Sequence, residues 1–75
     1  MSPDGRRLGN RLKLHRARLG LTQGQLADAV SVSRRTVNSV ENNVFVPSTE
    51  LALRMAEAFG VPVEELFFLA EDGDG

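Results

Sequence analysis

The stretch from Thr22 to Asn42, TQGQLADAVSVSRRTVNSVEN, constrains this chain more than any other, because it spells two short capped helices hinged at Ser31-Val32. Thr22 is a good N-cap, and Gln25 three residues later completes a capping box, so hydroxyl and amide each satisfy a backbone donor. Leu21 and Leu26 supply the apolar pair that fixes how the chain enters the helix, which is predicted from Gln23. Leu26, Ala27 and Val30 fall on one stripe. Ser33 repeats the cap with Val32 and Val37 as its staple, so a second helix is predicted from Arg34, with Val37 and Val40 inward. Ala27 faces Val37 across the corner, where a small side chain lets two helix backbones meet at a steep angle. Arg34, Arg35, Thr36 and Asn38 are left on the outer surface.

The remaining chain frames this corner. A first helix is predicted over Asn10 to Leu19, stopped by Gly20, with Leu8, Leu12, Arg16 and Leu19 in line. That stripe contains a charge, so Arg16 needs a partner. After Glu41, Asn42 and Asn43 suit a left-handed helix end, and Val44 to Pro47 reads as a loop. Ser48 is the expected cap of a fourth helix burying Ala52, Met55, Ala56 and Phe59, which Gly60 ends. A short fifth helix is expected near Pro62, with Glu64 and Glu65 favourably placed in its first turn. Neither Met1 to Gly5 nor the acidic, glycine-rich Glu71 to Gly75 has periodicity, and both are expected to be disordered.

At 75 residues the chain is expected to form a single domain, residues 1–75 with a core over about 8–70. Cysteine is absent, so no disulfide or thiolate metal site can help a small core; five helices or a dimer are the remedies. The longest apolar run, Leu66 to Ala70, is far short of the ~20 residues that span a bilayer. Without a membrane segment or export signal, the expected location is the cytoplasm.

Charge divides sharply along the chain. Residues 1–40 hold eight of the nine Lys and Arg against Asp4 and Asp28, a balance of +6, while residues 41–75 set Arg54 against eight acids, a balance of −7. A basic half facing phosphate and an acidic half facing away would orient approach to a polyanion.

From about Asn10 to Leu69 the chain resembles the bacterial and phage family of Cro and repressor-type helix-turn-helix regulators, the xenobiotic-response-element family. The likeness takes in NRLKLHRARLGLTQ, both capped helices, ENN and PSTELALRMAEAFGVPVEELF. Two departures are plain. Ser31 stands where the family usually has Gly in a left-handed turn, at a cost of about 1 kcal/mol. Val44 stands where relatives often carry a basic residue that touches phosphate, and no such contact is transferred to it.

The resemblance implies an all-α fold, a compact five-helix bundle of the lambda-repressor-like type, with short terminal strands extending it at a dimer interface. It implies double-stranded DNA as partner, with the third helix in the major groove. Ser33, Arg34, Arg35, Thr36, Asn38 and Ser39 then become the contact set: Arg suits guanine O6 and N7, Asn suits adenine N6 and N7, and the Thr36 methyl suits a thymine methyl. Gln23 at the start of the second helix and Asn42 after the third are the matching phosphate clamps. The resemblance also offers Glu41 as the partner of Arg16.

Other residues read more plainly. His15 has no metal partner and is expected to be solvated or half-packed on the flank of the first helix. Glu64 and Glu65 diverge by about 100° on a helix, so they suit a helix start rather than acid–base work, and neither a cofactor nor catalysis is expected. Leu66 and Phe67 can finish the core. Four consecutive apolar residues cannot all face one core, so Phe68 and Leu69 need another surface. Dimerisation through Leu8, Phe67, Phe68 and Leu69 answers that need, with Arg6 to Gly9 and Phe67 to Glu71 as candidate strands. The expected function is therefore a homodimeric repressor of an inverted-repeat operator. The alternatives left open are an antitoxin or control protein of a two-protein system, whose acidic half binds a protein partner, and a helical interaction adaptor that does not touch DNA.

Overall fold

The computed structural model describes residues 6–71. The expectations for residues 1–5 and 72–75 lie outside them. In chain order the elements are β1 (Arg7–Asn10), α1 (Leu12–Leu19), α2 (Gln23–Val30), α3 (Arg34–Glu41), α4 (Thr49–Phe59), α5 (Val63–Leu66) and β2 (Phe67–Ala70). The fold is thus five helices completed by a two-stranded antiparallel sheet.

The capping chemistry sets most boundaries. Thr22 accepts from the Gln25 amide while the Gln25 side chain accepts from the Thr22 amide, closing the capping box of α2. Ser33 and Ser48 accept from Thr36 and Leu51 to start α3 and α4. Gly20 and Gly60 end α1 and α4 with φ of 69° and 71°. Ser31 takes the same left-handed conformation at φ 63°, so the turn between α2 and α3 keeps its shape despite the side chain. At the end of α3 it is Asn43, at φ 60°, that turns left-handed, while Asn42 stays at φ −91°.

The core is one cluster drawn from every helix. Leu12, Leu26, Val30, Val37, Val40, Met55 and Leu66 are fully enclosed, with Ala27, Leu51, Ala56, Phe59 and Phe67 around them. Fully burying a side chain of this size contributes roughly 1.5–3 kcal/mol.

Helix α1 begins later than its apolar spacing predicted. Asn10 belongs to β1, and its Oδ1 accepts from the Leu12 amide at 3.1 Å, so the residue that was to open the helix caps it from the strand. Leu8 is accordingly a strand residue. The core-facing line of α1 runs through Leu12 and His15, and Leu19, at the last position before Gly20, is exposed. His15 is not solvated: it is 3% exposed and packs on the Phe59 ring with centroids 5.6 Å apart. Its Nε2 has no hydrogen-bond partner and its Nδ1 lies 3.5 Å from Arg18 Nη1, the arrangement of a core side chain.

The strands come from opposite ends of the chain and pair with each other, Arg7 with Ala70, Leu8 with Leu69, Gly9 with Phe68 and Asn10 with Phe67. Gly9 is essential to this. A Cβ there would sit 2.7 Å from the Phe68 ring, and the Arg11 guanidinium lies over that ring 4.2 Å from its centroid. Phe68 is therefore largely accommodated within the chain, and Leu69 is the apolar strand residue left exposed.

Candidate nucleic-acid interface

Recognition-helix candidates sit on α3, a helix held from three sides. Val37 and Val40 anchor its inner face, Ser33 caps its start, and Asn10 reaches across from β1 to its end. There Asn10 Nδ2 donates to the Val40 carbonyl at 3.0 Å, the Glu41 carbonyl at 3.5 Å and Asn43 Oδ1 at 3.2 Å, satisfying acceptors that a helix end leaves open. Sequence reasoning missed this brace, because nothing local to Asn10 points thirty residues ahead.

The outer face is polar and open. Arg34, Arg35 and Asn38 are exposed, and Thr36 and Ser39 are half-buried at its edge. Four of the expected residues converge on one cleft of 360 Å³ lined by Gln23, Arg34, Arg35 and Asn38. Thr36 and Ser39 line the neighbouring cleft with Arg35, Val44 and Phe45. Ser33 is engaged locally, its hydroxyl accepting from the Thr36 amide at 3.1 Å and lying 3.0 Å from the Thr36 hydroxyl. Asn42 is exposed beyond the helix, its Nδ2 donating to the Asn38 carbonyl at 2.9 Å.

Beneath this surface lies the Arg16–Glu41 pair. Arg16 Nε donates to Glu41 Oε2 at 2.5 Å and Nη2 to Oε1 at 3.1 Å, a two-pronged contact, while Nη1 donates to the Leu21 carbonyl at 2.9 Å. The side chains are 15% and 3% exposed. Burial would push the Glu41 carboxyl upward, but the hydrogen bonds from Arg16 and Gln23, with the nearby positive charge, hold it below its ordinary value. The Arg16 guanidinium is shifted upward, first by its hydrogen bond to Glu41. This ion pair thus ties α1 to the end of α3, each of its two charges answered by the other.

Gln23 is where the buried pair meets the surface. Its Nε2 donates to Glu41 Oε1 at 3.0 Å and its Oε1 accepts from Asn38 Nδ2 at 3.5 Å. The expected phosphate clamp is therefore also a link between α2 and α3.

The dimerisation candidates separate in the fold. Phe67 is in the core, Leu8 and Phe68 are half-buried, and Leu69 is 54% exposed. Leu8 and Leu69 line a groove of 360 Å³ with Val40, Asn43, Phe45, Val46, Pro47 and Phe67. Phe45 and Val46, 48% and 70% exposed, extend this apolar surface, and sequence reasoning passed over them as loop. Among the described residues, no group of His and carboxylates stands where it could hold a metal ion. No helix among them is long and apolar enough to cross a membrane.

Comparison with known proteins gives concordant results. Residues 12–66 match the family described as Helix-turn-helix. Over 63 residues the chain is 41% identical to an uncharacterized HTH-type transcriptional regulator of Bacillus subtilis (strain 168), covering 84% of this chain and 96% of that protein. The same identity and coverage hold for an uncharacterized HTH-type transcriptional regulator of Methanocaldococcus jannaschii. Among solved structures it is similar to a protein from Bacteroides fragilis described as DNA-binding, with a TM-score of 0.74 and 26% identity over 81% of this chain and 98% of that one.

Proposed function

Because this chain belongs to the XRE-type helix-turn-helix family of DNA-binding, non-enzymatic transcriptional regulators, we propose that residues 1–75 act as one domain that reads double-stranded DNA by laying α3 in the major groove. The observation that carries this reading is the exposed row Arg34, Arg35 and Asn38 on a capped helix braced by a buried ion pair. Arg35 and Asn38 have the forks that match guanine and adenine edges, and Thr36 and Ser39 extend the contact. Gln23, Ser33 and Arg34 are assigned to phosphate at helix starts, where backbone N–H groups favour anions, and Asn42, exposed past the end of α3, is assigned to phosphate through its side chain.

The acting species in this proposal is a homodimer. The apolar groove of Leu8, Leu69, Phe45 and Val46 lies beside Val40 and Asn43, at the end of α3. A second copy there would bring two recognition helices to one face, and an inverted repeat with half-sites about 10–10.5 base pairs between centres is the matching site. Repression is the simplest consequence, since occupying an operator needs no further contact. The cytoplasm is the compartment such a task requires. The exposed Glu50, Glu57, Glu64 and Glu65 of α4 and α5 favour one second reading, in which a basic protein partner docks there as in a two-protein control system.

Selection of bound duplexes from a random pool tests the main reading. An enriched inverted repeat supports it, and Leu69→Asp should then weaken both assembly and operator binding with the fold intact. A pool with no enriched sequence would overturn base reading, and a wild-type protein monomeric at tens of micromolar would overturn the dimer.

A further inference from the structure

A carboxylate can only accept hydrogen bonds, whereas a side-chain amide has one donating and one accepting end. Glu41 is kept in the accepting form by Arg16, which donates to both of its oxygens at 2.5 and 3.1 Å. Glu41 Oε1 also accepts from Gln23 Nε2 at 3.0 Å. With its donor end committed to Glu41, Gln23 has to turn Oε1 the other way, and there it accepts from Asn38 Nδ2 at 3.5 Å. The polarity set by a buried charge is thereby handed to a side chain on the exposed face of α3.

The consequence for Asn38 is specific. The Nδ2 hydrogen pointing away from Oδ1 suffices for Gln23, which leaves Oδ1 and the second hydrogen side by side on the free edge. That edge is an acceptor next to a donor, the pattern that matches adenine N6 and N7. If Gln23 were reversed, Asn38 would have to turn Oδ1 toward it, and its free edge would keep one acceptor and one donor in exchanged places. The donor would then face the position 6 substituent, where guanine O6 accepts and adenine N6 donates, so the preference for adenine would be lost.

We propose that Glu41, acting through Gln23, is a positioning residue that makes Asn38 select adenine over guanine at the base it reads. The proposal rests on the reading of α3 as the base-contacting helix.

The experiment first locates the base pair whose preference Asn38→Ala abolishes in the selected duplex, then measures affinity for duplexes differing only there. Wild type should favour adenine over guanine by about tenfold or more. Glu41→Gln keeps the shape but can donate as well as accept, so Gln23 is no longer compelled, and the ratio should fall to within about threefold while preferences at other positions persist. Gln23→Met breaks the relay with the ion pair intact and should relax the same position alone. It decides the matter if Glu41→Gln does not fold. An unchanged adenine-to-guanine ratio in the folded variants, with all affinities falling together, would overturn the relay and leave Glu41 a support of the fold. Failure of wild type to bind any selected duplex would instead remove the DNA reading beneath it.

Discussion

The α2–α3 corner and the β1–β2 sheet are built from opposite kinds of contact. In the corner the deciding interactions span three or four residues: Thr22 with Gln25, Ser33 with Thr36, and Ser31 turning left-handed between them. In the sheet the pairings join Arg7 to Ala70 and Asn10 to Phe67, almost the whole chain apart. The corner can form early and carries the exposed polar face; the sheet forms only when the core has already brought the ends together. Two residues bridge these regimes. Glu41 holds α3 to α1, and Asn10 holds its end to β1. The proposed recognition surface is therefore locally shaped but remotely positioned.

Breaking the remote positioning should have the largest effect. Arg16→Ala or Glu41→Ala strands a buried charge and should cost about 3–5 kcal/mol in denaturant unfolding, with strong coupling in a double-mutant cycle. The exposed Arg54–Glu50 pair, at 2.6 Å and 50% and 72% exposed, provides the contrast, and Arg54→Ala should cost no more than about 0.5 kcal/mol. Equal costs for the two pairs would contradict the burial argument. The same pair fixes an acid dependence. Glu41 has a lower pKa folded than unfolded, so its contribution is complete above the ordinary glutamate value of about 4.3 and is lost as pH falls below it. Wild type should lose stability in that window by more than Glu41→Gln does, as thermal unfolding across pH 3 to 6 will reveal.

Crowding the sheet should come next. Gly9→Ala places a methyl against the Phe68 ring and should cost about 1–3 kcal/mol, with the sheet amides losing hydrogen-exchange protection before those of α3. Uniform loss of protection would mean the two regions are not separable. The smallest change sharpens the corner: Ser31→Gly relieves a left-handed serine and should raise stability by up to about 1 kcal/mol, leaving base preference alone.

Legibility in the sequence follows the same division. Caps, stops and the inward residues of α2, α3 and α4 were readable because their signals lie within a turn or two. The strand segments were anticipated to within a residue, since a run such as Leu66 to Leu69 cannot be absorbed by one short helix. What stayed hidden was which distant groups meet. Asn10 read as a helix start because its partners are around Val40. Phe68 read as unaccommodated because Gly9 and Arg11, which enclose it, are nearly sixty residues away. His15 read as solvated or half-packed rather than buried because its basic neighbours in sequence are not its neighbours in space, where Phe59 covers it. In the candidate site the residue types and helix were legible, but the role of Gln23 as a bridge from Glu41 to Asn38 needed coordinates.

The central claim, that α3 reads bases, is tested most directly by the ratio of affinities for the selected duplex and a scrambled duplex of equal length and salt, measured for wild type and Arg35→Ala. The account predicts a wild-type ratio of about 10³ or more, narrowed by roughly tenfold or more in Arg35→Ala. A ratio near one for wild type, or one that Arg35→Ala leaves unchanged, would contradict it.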